Sequence, residues 1–383
     1  MMRDFDRAAA FIDLDAALYN MNLMYEGLDE QASDGASKAK MIAVIKADGY
    51  GHGAVPLACK LEGLDYLYGF AVATMDEAIE LRKAGIKKPV NLLGPVFAGR
   101  MDDAASYDIG LAVFDYDNAL AFSDACVAAG VTGRIHIAVD TGMSRIGYYV
   151  NRESAREVFR ISKLPNINIE GCFTHFYMSD AADKADADTQ LSRFKEFRKL
   201  VEGEGVNIPL WHCSNSAALI DMPYANMDLV RAGISLYGLR PSDEVKDIPL
   251  KPVMKLVSRI TMVKTIHKGD AVSYGATFRA DKDMRIATIC FGYADGYPRS
   301  LSNKGEVLIR GRRVRIVGRV CMDQFMADVS DIPDAAAGDV VTLIGQDGSE
   351  RITAEELGDL SGRFNYELAC LISKRVPRIY LGK

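Results

Sequence analysis

The stretch Met41 to Ala54, MIAVIKADGYGHGA, decides how the rest of the 383-residue chain is read. Met41 to Ile45 is a short apolar run with little alternation, the pattern of a strand buried on both faces in a parallel sheet. Lys46 closes that run. A lysine leaving the C-terminal end of a buried strand into a glycine-rich turn suits the mouth of an active site. Partial desolvation there lowers its pKa and frees the amine for Schiff-base chemistry with an aldehyde. Gly49, Gly51 and Gly53, alternating with Tyr50 and His52, allow tight turning and close backbone approach. Taken alone, an apolar run ending in lysine is more often an ordinary solvated strand end, so the surrounding chain has to decide.

Apolar strands alternate with helical segments from residue 14 to about 240. The candidate strands are Met41 to Ile45, Tyr68 to Ala73, Val90 to Leu93, Gly110 to Phe114, Arg134 to Val139, Ile167 to Thr174, Leu210 to Cys213 and Leu229 to Ile234. Between them, Thr74 to Ala84 opens with a threonine cap and Glu77 three residues on, and stops at Gly85. Asp117 to Ala129 stops at Gly130, and Arg152 to Lys163 stops before Pro165. Eight strand-helix units predict a (β/α)8 TIM-type barrel over residues 1–243. A doubly wound open sheet is the competitor, but no GxGxxG opens a helix after the first strand.

The texture changes near Pro241. Leu256 to Thr265, Arg285 to Phe291, Glu306 to Ile309, Arg313 to Val320, Phe325 to Val329 and Val340 to Ile344 are short, rich in β-branched residues and separated by turns such as KGD and QDG. They predict a smaller, mainly-β C-terminal domain over residues 244–383, with one helix over about Ala354 to Ser373.

Composition narrows the function. A net charge of -6 and a pI of about 5.5 argue against nucleic acid or an anionic membrane as main partner. No apolar run reaches the roughly 18 residues that span a bilayer, and the N-terminus MMRDFDRAAAFIDLD carries acids where a signal peptide carries an apolar core. The seven cysteines include no CxxC pair and read as reduced thiols of a cytoplasmic protein. The five histidines show neither HxxxH nor HExxH spacing, so no metal site is expected.

Chemistry in such a barrel gathers where the strands end. The first strand supplies Lys46 and Tyr50, and the fifth Asp140 and then Arg145 in TGMSRIG. The sixth supplies His175, the seventh Ser214, Asn215 and Ser216, and the eighth Arg231, Gly233 and Ile234. A lysine, two arginines, a histidine, a tyrosine and small hydroxyl or glycine groups suit a phosphorylated aldehyde cofactor.

At this point the residues resemble a family. AVIKADGYGHG, DTGMSRIG, THF, HCSNSAAL, VRAGISLYG, VSYGATF, GYADGYPR, VGRVCMDQ and NYELACLISKRVPR are similar, in the same order, to segments of the alanine racemases, pyridoxal-phosphate enzymes of the barrel-plus-β-domain type. The ordered set covers nearly the whole chain.

The resemblance implies roles for individual residues. Lys46 resembles the lysine that holds pyridoxal 5'-phosphate as an imine and acts as one acid-base group at the substrate α-carbon. Tyr274, in VSYGATF, resembles the opposing base, supplied by the second subunit of a homodimer. Racemisation needs such a pair, because a proton leaves one face and another returns to the opposite one. His175 resembles the neighbour that supports the tyrosine. Arg231 resembles the residue facing the pyridine nitrogen, where a guanidinium that cannot give up its proton leaves the ring neutral and transamination less favoured. Tyr50, Ser216, Gly233, Ile234 and Tyr366 resemble the phosphate cradle, with Asn215 alongside. Arg145 resembles the contact to the ring oxygen and the substrate carboxylate, assisted by the backbone N–H of Met322 from the partner. The implied function is interconversion of L- and D-alanine, the D-isomer destined for peptidoglycan.

Taken singly, each position has an ordinary reading. Tyr274 suits sheet packing, His175 a satisfied buried imidazole and Arg231 a partner for a nearby acid. His52 and His136 read as structural, and Asp295 and Asp323 as turn or network residues.

One position departs from the family. Many members carry a carbamylated lysine seven residues before the arginine of the DTGMxR motif, where this chain has Ala138. A buried guanidinium without an anion is costly, so a small anion such as chloride, or another acid, is expected beside Arg145. Three other functions stay open: a serine or broad-specificity racemase of the same fold, a non-catalytic pyridoxal-phosphate carrier, and a decarboxylase of the related fold. A bulky Tyr366 at the pocket wall speaks against the first. The 140 or so residues beyond Pro241 speak against a carrier built on a lone barrel, and the lack of a Cys-containing motif and of a larger C-terminal domain against the decarboxylase.

Overall fold

The computed structural model describes residues 5–29 and 38–382. Residues 1–4, which begin the acid-bearing N-terminus, lie outside the described residues, as do 30–37 and 383. Eight parallel strands form one sheet in the order Leu229–Ala232, Lys40–Val44, Leu67–Val72, Val90–Leu92, Ile109–Val113, Gly133–Asp140, Ile167–Phe173, Leu210–His212. The strands at its two ends meet where the Arg231 N–H donates to the Ser214 carbonyl at 3.1 Å, so the sheet nearly closes on itself. The expected barrel is the observed one. Its strands are legible because burial on both faces leaves largely apolar runs, interrupted in places by single polar residues such as Asn91, His136 and Arg231.

Helix signals hold locally. Over Met75–Lys83, the Thr74 hydroxyl accepts from Glu77 N–H at 3.3 Å while the Glu77 carboxylate accepts from Thr74 N–H at 3.1 Å. Asp115 caps Tyr116–Ala129 and Asn151 caps Arg152–Ile161.

In the second domain Met254–Ile266, Met284–Ile289, Phe325–Asp328, Arg312–Val317, Glu306–Ile309 and Val340–Asp347 pair in succession, all antiparallel. Val340–Asp347 pairs back onto Met254–Ile266, which closes a small β-barrel. Two further strands join this sheet from the chain ends. Ala8–Asp13 pairs antiparallel with Met254–Ile266 and parallel with Arg378–Leu381. Neither is legible in the sequence, because the partners of AAAFID lie far away along the chain. The single helix expected over Ala354 to Ser373 is instead two, Ala354–Ser361 and Asn365–Leu371. Gly362, left-handed at φ 68°, ends the first. Buried apolar side chains of both domains form one contiguous cluster, so the two units share a core.

Candidate active site

Lys46 leaves the first barrel strand into a left-handed turn. Ala47, Asp48, Gly49, Tyr50 and Gly51 have φ of 52°, 51°, 61°, 51° and 80°. Left-handed backbone costs a residue with a Cβ about 1–2 kcal/mol, so the turn persists only because its surroundings over-determine it. Within it, Gly49 N–H donates to Ile45 O and Gly51 N–H to Ala47 O, both at 2.9 Å. From outside, Glu77 accepts from Ala47 N–H at 2.7 Å, and Asp48 accepts from Ala54 N–H at 2.9 Å. His52 Nδ1 donates to the carbonyls of Gly49 and Tyr50 at 3.0 and 2.9 Å. Arg378 Nε donates to Gly51 O at 3.0 Å and its other nitrogens to the carbonyls of Ile372, Ser373 and Val376. Gly51 cannot be larger: a Cβ there would stand 2.3 Å from Ala369 O.

The turn sets Lys46 in a cavity of about 560 Å³ at the C-terminal end of the barrel strands. The same cavity is lined by Tyr50, Arg145, His175, Asn215, Ser216, Arg231, Gly233, Ile234 and Tyr366. Ten of the twelve site residues expected from the sequence are therefore brought together, a convergence of strand ends far apart in the chain. Tyr274 and Met322 are not among the cavity's lining residues. They line a separate open cleft on the second domain with Ser273, Cys321, Asp323, Gln324 and Met326, and are 71% and 51% exposed. Ser273, at φ 65°, anchors that turn by donating its hydroxyl to Arg319 O at 2.7 Å.

The cavity is electropositive. Burial lowers the Lys46 pKa, and the Arg145 charge lowers it further. Arg231 is fully enclosed, and burial brings its guanidinium down to about 10. Its Nη1 donates to His212 Nδ1 at 2.8 Å and His212 O at 3.2 Å. Its Nη2 donates to Thr174 O at 2.8 Å, Cys213 O at 2.9 Å and His175 Nδ1 at 3.2 Å. Every partner is neutral or a carbonyl. His175 is pushed down to about 3 by burial first and then by the charges of Arg231, Arg145 and Lys46. Burial pushes the Tyr50 and Tyr366 phenols up, so both remain protonated donors.

The remaining polar groups have defined posts. Ser216 Oγ accepts from Gly233 N–H at 2.9 Å and Ser235 N–H at 3.3 Å. Asn215 caps the helix Ser216–Asp221 and accepts from Ser179 Oγ at 2.8 Å. Arg145 makes no hydrogen bond or ion pair to any side chain among the described residues. Ala138 beside it packs with Ala112 and Phe173 in an apolar cluster, so the acid considered as a partner for Arg145 is not found there. Asp295 and Asp323 are network residues: the fully buried Asp295 carboxylate takes both Nη groups of Arg7, at 2.9 and 2.6 Å, and Asp323 pairs with Arg375 at 2.8 Å.

Two contributors escape sequence reasoning. Glu77 reads as a helix cap, yet the same carboxylate holds the lysine's turn through Ala47 N–H. His212, the penultimate residue before Ser214 in HCSNSAAL, reads as strand interior, yet it is the closest ring partner of Arg231.

Comparisons with known proteins agree over the full length. The family model "Alanine racemase, N-terminal domain" matches residues 12–241, and "Alanine racemase, C-terminal domain" matches 253–380. The chain is 43% identical to the alanine racemase of Clostridium tetani over 377 residues, 97% of this chain and 95% of that one. It is 44% identical to that of Desulfovibrio desulfuricans over 382 residues, 99% and 100% of the two chains. A solved alanine racemase of Clostridium difficile superposes with a TM-score of 0.92 at 37% identity, covering 99% of this chain and 96% of that one. Matches of this identity and coverage leave one conclusion: the chain belongs to the alanine racemase family.

Proposed function

We propose that this enzyme interconverts L- and D-alanine with pyridoxal 5'-phosphate bound in the cavity around Lys46. The observation that carries the reading is a desolvated, electropositive lysine beside a buried guanidinium whose partners are all uncharged. The cavity fits the cofactor. At Gly233 a Cβ would stand 3.5 Å from both Ser216 Oγ and Tyr50 OH, so the missing side chain leaves room for a phosphate among hydroxyl and N–H donors. Arg231 is placed to donate to a ring nitrogen and has no capacity to accept a proton from it. Arg145, with no acid attached among the described residues, is free for carboxylate. When bound, the cofactor supplies an electron sink for charge developing at the substrate α-carbon.

The chain's own residues then divide the proton work. Lys46, its ammonium form disfavoured by burial and by Arg145, takes or returns a proton on one face of the α-carbon. Tyr274 serves the other face and comes from a second copy of the chain, an arrangement supported by its exposure next to Met322 and by its place outside this chain's own cavity. Met322 N–H from that copy helps hold the carboxylate. His175 remains neutral and supports the phenol. Tyr366, stacked on Phe364 at 4.2 Å between ring centroids, walls the cavity and favours a methyl side chain over larger ones.

No helix among the described residues is long and apolar enough to cross a membrane. The D-alanine formed would feed peptidoglycan synthesis in the cytoplasm. The deciding experiment measures racemisation of all common amino acids by purified protein. Alanine should be fastest, the protein yellow, and Lys46→Ala colourless and inactive. Faster turnover of serine, or of a broad set, would replace this reading with that of a broad-specificity racemase, and a coloured protein without turnover would leave a cofactor carrier.

A further inference from the structure

The contacts of Arg231 do not end at His212. His212 Nε2 lies 2.9 Å from His136 Nδ1, His136 Nε2 lies 3.3 Å from Glu170 Oε2, and Glu170 Oε2 lies 3.2 Å from Arg134 Nη1. Arg134 then reaches the exposed Asp108 at 3.2 Å. The row runs from the cavity through the barrel interior to the opposite end. Both imidazoles are sealed from solvent, at 2% and 1% exposure for His136 and His212.

The proton positions follow from chemistry alone. A guanidinium only donates, so His212 Nδ1 accepts from Arg231 and its proton sits on Nε2. His136 Nδ1 then accepts from His212, and its own Nε2–H points at the Glu170 carboxylate. Starting from Glu170, which only accepts while ionised, gives the same assignment. Burial lowers both imidazoles and keeps them neutral. Burial works to raise Glu170, but the bond from His136, the neighbouring Tyr68 hydroxyl and the Arg134 charge outweigh it and hold the carboxyl at about 2. The backbone makes room for the row: at Gly171 a Cβ would stand 2.3 Å from His136 Nδ1.

We propose that Glu170 is the counter-ion of Arg231, its charge delivered through the aligned neutral imidazoles of His136 and His212. Glu170 and His136 are thus positioning residues for the guanidinium that faces the cofactor. A buried guanidinium with no anion is costly, and here the anion stands two rings away in a poorly screened interior. The inference rests on the role given to Arg231 above.

The test uses nitrogen-15 NMR of the histidines in the cofactor-free full-length protein, so it is independent of which amino acid the enzyme turns over. Wild type should show Nε2–H and bare Nδ1 on both His136 and His212. In Glu170→Gln the Nε2–H signals of both rings should move together, although His212 does not touch Glu170. The loaded variant should lose about tenfold or more in kcat with little change in KM for alanine, and Glu170→Asp should recover part of the loss. A proton on Nδ1 of either ring, or Glu170→Gln with the His212 signal and kcat unchanged, would overturn the relay and leave Glu170 as a partner of Arg134 alone. Should Glu170→Gln not fold, the wild-type spectrum still decides, and Gly171→Ala, which displaces His136 while keeping the carboxylate, should shift the same signals. The correct proton pattern in a protein that does not racemise alanine would count against the proposed function and not against the relay.

Discussion

Arg231 Nη2 donates to His175 Nδ1 at 3.2 Å, and that single bond leaves Nε2 as the only ring nitrogen of His175 able to carry its proton. With burial first and the Arg231 charge second holding the imidazole down to about 3, His175 should titrate nowhere in the working range of the enzyme. An NMR titration should find it neutral with Nε2–H from pH 8 to about 5. A midpoint near 6.5, the ordinary histidine value, would remove His175 as a fixed donor toward Tyr274.

Stability should fall on mild acidification for the same reason. His52, at about 4, His136, His175, at about 3, and His212 all have folded-state pKa values lowered below 6.5, with burial as the largest cause. Groups lowered in the folded state contribute stability that is complete above the unfolded value and is lost as pH falls through the folded one. The window therefore runs from about 6.5 down to about 3. Each imidazole can remove about 1.4 kcal/mol per pH unit within it. Denaturant unfolding of the cofactor-free protein at pH 7, 6 and 5 checks this. Constant stability over that range would show that the imidazoles are not held neutral.

The left-handed turn after Lys46 depends on Glu77, whose two oxygens accept from Ala47 N–H at 2.7 Å, Ala73 N–H at 2.9 Å and Thr74 N–H at 3.1 Å. Glu77→Ala should destabilise the protein by about 1–3 kcal/mol and weaken cofactor retention, since the lysine's turn loses its outer anchor. Glu77→Gln, which keeps an acceptor oxygen, should recover part of both. Thermal melting and equilibrium dialysis against pyridoxal phosphate measure the two effects. Lost stability with unchanged retention would make Glu77 a helix cap only.

Among the described residues Arg145 has no acid partner, and Ala138 presents only a methyl group toward the apolar cluster with Ala112 and Phe173. A small anion beside Arg145 is expected to steady the guanidinium. Replacing chloride by a bulky anion at constant ionic strength should raise KM for alanine, and Ala138→Glu should remove the dependence. Identical kinetics in both salts would show that Arg145 needs no such support.

The barrel was legible because its strands are short, largely apolar runs ending in polar or glycine residues, as Met41 to Ile45 before Lys46 shows, although single polar residues such as His136, Glu170 and Arg231 interrupt several of them. The second domain was legible in outline, from short β-branched segments between turns. Contacts distant in sequence were not. Ala8–Asp13 pairs with residues some 245 positions on, at Met254 to Ser258, and nothing in AAAFID names that partner. The break at Gly362 was hidden because one glycine inside an amphipathic stretch is compatible with a continuous helix. In the site, Lys46 could be argued from its place at a strand end, whereas Tyr274 stood out only through likeness to a family. Its exposed turn lies on a cleft of the second domain outside the barrel cavity, and the role proposed for it requires a second molecule. His212 and His136 were invisible as a pair, because they sit 76 residues apart on the two strands flanking Ile167–Phe173, and only that strand order brings His136 Nδ1 within 2.9 Å of His212 Nε2.

Lys46 in the barrel cavity and Tyr274 on the open cleft of the second domain are taken to flank one α-carbon from two different chains. Mixing the two inactive variants Lys46→Ala and Tyr274→Phe under conditions of subunit exchange tests this most directly. Each hybrid dimer would contain one site with both native groups, so activity should return to about a quarter of the wild-type value at equal mixing. A mixture that stays as inactive as either variant alone would contradict the shared site and the two-faced proton transfer built on it.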